Sequence, residues 1–147
     1  MITLSTIETD LVSAMKAKDQ VAVDTLRGLK TRIVNEQVAK MNDQLDESAI
    51  LSLVKSEIKR RKEAAESFMA GGRQETAEKE LHEAAILEKY LPAQLGEAEI
   101  AAKVNEMLAG GSFTAQDFGK VMGQLKAALG NSADGALIAK VVKEKLK

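Results

Sequence analysis

Apolar residues recur at intervals of three and four along almost the whole of this chain, and Pro92 is its only proline. That period commits the backbone to helices. A face that repeats every 3.6 residues does not fit a strand, whose faces alternate. The most informative stretch runs from Lys55 to Leu95, KSEIKRRKEAAESFMAGGRQETAEKELHEAAILEKYLPAQL. It holds a basic helical ridge, a Gly71-Gly72 break, a helix with carboxylates on its apolar stripe, and Pro92. Proline cannot continue a helix and biases Leu91 away from helical geometry. A domain boundary is expected there, between residues 1–92 and residues 93–147.

The expected fold class is all-α, with an N-terminal bundle of about four helices and a smaller unit of three. A chain of 147 residues buries roughly 68–70% of its unfolded surface and needs no staple. Aromatics make up only 3%, so the core is built from Leu, Ile, Val, Ala and Met. No apolar run approaches the ~20 residues that cross a bilayer, and MITLSTIETD does not read as a signal peptide. No membrane association is expected, and a cytoplasmic protein is the default expectation.

Ser5-Thr6-Ile7-Glu8 fits a capping box for a first helix, with Leu4, Ile7, Leu11, Ala14 and Met15 at helical spacing. Asp19 is suited to cap a second helix, whose apolar positions are Ala22, Leu26, Leu29 and Ile33. Gly28 interrupts it at a cost of roughly 1 kcal/mol against alanine, or permits a close helix contact. The polar segment Asn42-Asp43-Gln44 closes it. A third helix starts near Asp46. Ile50, Val54, Ile58, Ala65 and Phe68 share one face of it with Arg61, while Lys55, Lys59 and Lys62 form the opposite ridge. Gly71-Gly72 stops that helix.

On the fourth helix, Ala77, Leu81, Ala84, Glu88 and Leu91 fall on one stripe, with Glu80 and Leu87 beside it. Arg61 therefore faces carboxylates across an apolar seam. One reading is a partly buried Arg61–Glu80 or Arg61–Glu88 pair that fixes register; the other is a polar binding cleft. Ile86 and Tyr90 lie off the stripe and are expected to pack against the second domain or to serve a partner.

In the second unit Glu97 and Glu99 suit a first helical turn. Ile100, Val104, Met107 and Leu108 form the stripe, and Gly110-Gly111 ends it. Thr114 caps the next helix, with Phe118, Val121, Met122, Leu125 and Leu129 repeating along it. Gly119 and Gly123 share an edge with Lys126. That edge either packs a neighbouring helix or admits the backbone of an RNA or a partner. Gly130 stops this helix and Asp134 caps the last. Leu137, Ile138, Val141, Val142 and Leu146 form the last helix's buried face, and Lys140, Lys143 and Lys147 its exposed ridge.

The segments AMKAKDQVAVDTLRGLK, IKRRKEAAESFMAGGRQETAEKE, ILEKYLPAQL, DFGKVMGQLKAALGNSADG and VVKEKL resemble, in order, the YqeY family of small bacterial proteins. That family is similar to the C-terminal tail of the B subunit of tRNA-dependent amidotransferases (the GatB/YqeY group). The resemblance implies a helical bundle followed by a three-helix, tail-like domain. It also implies a link to tRNA, with an amidotransferase or an aminoacyl-tRNA synthetase as protein partner. The segment shared with the tail is mainly Gly119-Lys120-Val121-Met122, Gly130 and Ala133-Asp134. In the loop before Ala133 the family usually carries more basic residues, whereas Gly130-Asn131-Ser132 has none.

The family label includes carbon–nitrogen ligation with glutamine as amide donor. The residues do not supply it: glutamine hydrolysis needs an activated nucleophile, and the chain has no cysteine and one histidine, His82, in a charged helix. There is no metal-ligand spacing and no phosphate-cradling glycine loop, so no catalytic residue, metal or cofactor is assigned. The expected function is that of a tRNA-binding accessory module. Lys120, Lys126, Lys140, Lys143 and Lys147 would meet phosphates, and recognition would be by shape. The alternative is a helical protein–protein adaptor without RNA. Net charge gives little help: residues 1–92 carry 14 Lys and Arg against 16 Asp and Glu, and residues 93–147 carry 7 against 6.

Overall fold

The computed structural model describes residues 1–146. They are all-α: seven α-helices and two short 3-10 turns, at Ala115–Asp117 and Gly130–Ser132, with no strand among the described residues. The chain divides into two compact units, Met1–Leu91 and one that begins at Pro92. The first holds α1 (Leu4–Lys16), α2 (Gln20–Lys40), α3 (Glu47–Ala70) and α4 (Gln74–Glu88). The second holds α5 (Glu97–Leu108), α6 (Phe118–Leu129) and α7 (Gly135–Lys145).

Most helix starts are set by local capping. Asp19, Asp46 and Asp134 each accept a backbone N–H of the first turn, from Ala22, Ala49 and Ala136 respectively. Thr114 and Asp117 cap each other reciprocally ahead of α6. The first helix departs from expectation. Its capping box is Thr3 with Thr6, not Ser5 with Glu8: Thr6 donates its N–H to Thr3 Oγ1 at 3.3 Å and Thr3 its N–H to Thr6 Oγ1 at 3.2 Å. Starting two residues earlier brings Leu4 and Ile2 onto the core, and Ile2 N–H is taken up by Glu47 on α3.

The first three helices end alike. Lys18, Met41 and Gly72 turn the chain at φ of 56, 51 and 77. In each case the next residue's N–H reaches back across the last turn, as Asp19 does to Ala14 O at 3.1 Å and Arg73 to Phe68 O at 2.8 Å. Only one of these three left-handed positions is a glycine, so Lys18 and Met41 carry the Cβ clash that Gly72 avoids. Lys18→Gly and Met41→Gly are each expected to stabilise the first unit by about 0.5–1 kcal/mol, and Gly72→Ala to destabilise it by about 1 kcal/mol. Tyr90 is the single tyrosine and there is no tryptophan, so urea unfolding followed by tyrosine fluorescence reads this unit alone. Midpoints that fall on both glycine substitutions would refute the assignment.

The first core gathers Ile7, Leu26, Leu29, Ile33, Ile50, Val54 and Leu87, and the second Ile100, Val104, Val121, Leu125, Ile138 and Val142. Helix α4 is rotated from the expected phase. Leu87 is fully buried and Leu81 is 42% exposed, so the inward face is Ala77, Glu83, Ala84 and Leu87. Tyr90 also differs from expectation. It packs on the first unit's own core and donates its hydroxyl to Asp10 on α1 at 2.5 Å. Burial, and then that hydrogen bond, raise its phenol well above the ordinary value. Among the described residues no helix is long and apolar enough to cross a membrane.

Candidate nucleic-acid interface

Helices α6 and α7 pack against each other within the second unit and run antiparallel. The end of α7 meets the start of α6, where Lys143 Nζ stands 5.7 Å from the centre of the Phe118 ring. The end of α6 meets the start of α7, where a Cβ on Gly135 would lie 3.7 Å from Lys126 Cε. Lys120, Lys126, Lys140 and Lys143 are all exposed; Lys147 lies outside the described residues.

A Cβ built on Gly119 or Gly123 meets nothing within 4 Å. Among the described residues no helix of the second unit fills the space beside either glycine. Among the described residues no carboxylate lies within ion-pair distance of Lys120, Lys126 or Lys143. Lys140 differs, with Nζ 3.3 Å from Glu97 Oε1 on α5. The expected set of five is thus split: three described lysines have no carboxylate within ion-pair distance, and a fourth is paired with Glu97 at the exposed surface.

The uncharged loop Gly130-Asn131-Ser132 is occupied structurally. Leu95 donates its N–H to Ser132 O and Gln94 its side-chain amide to Asn131 O, both at 2.8 Å. Those carbonyls anchor the segment entering α5, and carbonyls do not attract phosphate.

The first unit's charged residues form a different kind of cluster. Arg61 is held most closely by Glu83, with Glu80 and Glu57 each at 3.5 Å. Glu57 also receives Arg32 from α2 at 2.5 Å, and Arg32 reaches Ser56 at 2.9 Å. A Cβ on Gly28 would lie 3.7 Å from Arg61 Nη2, an ordinary contact distance, so the guanidinium lies close to α2 here without requiring a glycine. The Arg61–Glu80 pair is present. The Arg61–Glu88 pair is not: Glu88 pairs with Lys62 at 2.6 Å. Glu83 was missed because the apolar stripe of α4 was phased on Leu81. Burial raises the Glu83 carboxyl above its ordinary value, with the Arg61 charge opposing. The cluster ties α2, α3 and α4 together by internal pairing. A shallow pocket lies elsewhere, at the first turn of α4 beside Gly72, Arg73 and Gln74. His82 is exposed, and among the described residues no three His, Cys, Asp or Glu side chains converge to hold a metal ion.

A family model described as "Yqey-like protein" matches residues 4–146. Among curated relatives, "Altered inheritance of mitochondria protein 41, mitochondrial" of Lachancea thermotolerans is 37% identical over 108 residues, covering 71% of this chain and 57% of that protein. The protein of the same name in Kluyveromyces lactis is 32% identical over 108 residues, 71% of this chain and 58% of its own length. That of Pyrenophora tritici-repentis is 29% identical over 147 residues, 97% of this chain and 80% of its own length. The matched region thus spans under two thirds of the two yeast proteins. These names overturn the cytoplasmic expectation, since the relatives are mitochondrial proteins. That expectation rested on composition and on the lack of a membrane-spanning run, which do not distinguish one aqueous compartment from another.

Proposed function

Because this chain belongs to the YqeY family, we propose that it is a tRNA-binding accessory module whose RNA contact is the open edge of α6 and the adjoining ridge of α7. The observation that carries this reading is the bare Gly119–Gly123 edge, with Lys120 and Lys126 on the same helix and Lys143 across from it on α7. Glycine lets a phosphodiester backbone come close, and lysines supply the affinity without reading bases. Phe113 and Phe118 are partly buried in the second core, so no stacking platform is offered to single-stranded bases. Recognition is of shape and phosphate. The first unit acts as scaffold, and any carbon–nitrogen ligation belongs to a partner, an amidotransferase or an aminoacyl-tRNA synthetase; the chain has no cysteine for glutamine hydrolysis.

The test is binding of bulk tRNA by the full chain at low and physiological salt, with charge reversals on α6 and α7. Salt-sensitive binding that the reversals weaken supports the reading, and no binding at low salt overturns it. One observation favours a second reading, an adaptor: Val34 and Val38 are 37% and 73% exposed on one face of α2, and Met41, just past its end, is 94% exposed. An apolar contact there would be insensitive to salt. Tyr90, engaged by Asp10, is not part of it.

A further inference from the structure

We infer that Glu97 is a built-in brake on this RNA-binding face, holding Lys140 out of the phosphate-contacting set. The inference rests on the reading of α6 and α7 as the RNA contact. The two described lysines of the α7 ridge are held in different ways. Lys143 stands over the Phe118 ring, which positions the ammonium and leaves its charge intact. Lys140 Nζ lies 3.3 and 3.5 Å from the two Glu97 oxygens, which offsets part of its charge. The α5 N-terminus favours a carboxylate in its first turn, which helps hold Glu97 in place. Both side chains are about half exposed, 57% and 51%. The pair sits in water, where such pairs are weak, and a phosphate can displace it only by also meeting the repulsion of Glu97.

The fold supplies its own control. Glu99 is in the same first turn and no ion pair engages it among the described residues. Glu97→Gln and Glu99→Gln change the net charge equally, and only the first releases Lys140.

Bulk tRNA binding by the full chain is measured between about 50 and 200 mM salt for wild type, Glu97→Gln, Glu99→Gln, and Glu97→Gln combined with Lys140→Met. One more phosphate contact steepens the slope of log K against log salt by roughly 0.7–0.9. Glu97→Gln is therefore expected to steepen it by that amount and to raise affinity about three- to ten-fold at 50 mM. Glu99→Gln is expected to do much less, and the Lys140→Met background to abolish the gain. Equal effects of the two glutamine variants, while Lys126→Glu still weakens binding, would overturn the brake and leave the RNA reading standing. If Lys120→Glu and Lys126→Glu leave binding unchanged, the RNA reading falls and the brake with it.

Discussion

Replacing Arg61 with methionine is expected to destabilise the first unit by about 3–5 kcal/mol at pH 7, the usual cost of stranding buried charge. The guanidinium is shared by Glu83, Glu80 and Glu57, whose side chains are only 8%, 24% and 14% exposed. Without Arg61, neither Glu83 nor Glu80 keeps an ion pair among the described residues, Glu83 retaining only the weaker influence of Lys79, while Glu57 keeps Arg32 and Arg60. The pH dependence follows from the direction of the Glu83 shift. Its carboxyl is raised in the folded state from the ordinary 4.5, so between that value and the raised one the native protein binds more protons than the unfolded chain. Stability from this group is therefore complete below about pH 4.5 and is lost as pH rises through the folded value. Arg61→Met raises that value further, so its deficit is largest at pH 7 and shrinks toward pH 5. Glu83→Gln removes the titration, flattens the pH profile, and costs less because Arg61 keeps Glu57 and Glu80. Urea unfolding by Tyr90 fluorescence at both pH values decides. A deficit within about 1 kcal/mol at pH 7, or one that grows toward pH 5, would show that the cluster is not a buried tie.

The second large effect concerns binding. Reversing Lys120, Lys126 and Lys143 together to glutamate is expected to lower tRNA affinity at least about 100-fold at 50 mM salt and to bring the salt slope close to zero. Three phosphate contacts correspond to a slope of roughly 2–3, so the wild type should lose about 20–40-fold between 50 and 200 mM. Reversal removes the contacts and adds repulsion at the same points. Lys103→Glu is the control, because Lys103 lies on α5 beside Glu106. If Lys103→Glu costs as much per charge as the α6 and α7 variants, the attraction is diffuse and the open edge has no special role.

Much of this architecture was legible in the sequence. The caps at Asp19, Asp46 and Asp134 and the stop at Gly72 are made by bonds within a few residues of the helix end. The inward faces of α3, α6 and α7 followed from the 3.6-residue period. The same rule failed on α4 because leucine and charge compete there: Leu81 is exposed and Glu83 buried. Helical phase sums hydrophobicity, and a carboxylate inside contradicts it unless a cation waits opposite.

The open edge and the compensated lysine were not legible at all. The pattern Gly119, Gly123, Lys126 is the same whether or not a helix covers it, and Lys140 and Glu97 are 43 residues apart. By itself the sequence determined that the chain is all-α, with an aliphatic core and its helices punctuated by caps and glycines, because those features depend on near neighbours and on solvent. Only the tertiary structure decided which carboxylates hold Arg61, which glycines face open space and which lysines have a carboxylate beside them. Those outcomes depend on how helices distant in sequence are set side by side, and long-range register is not written in any one helix.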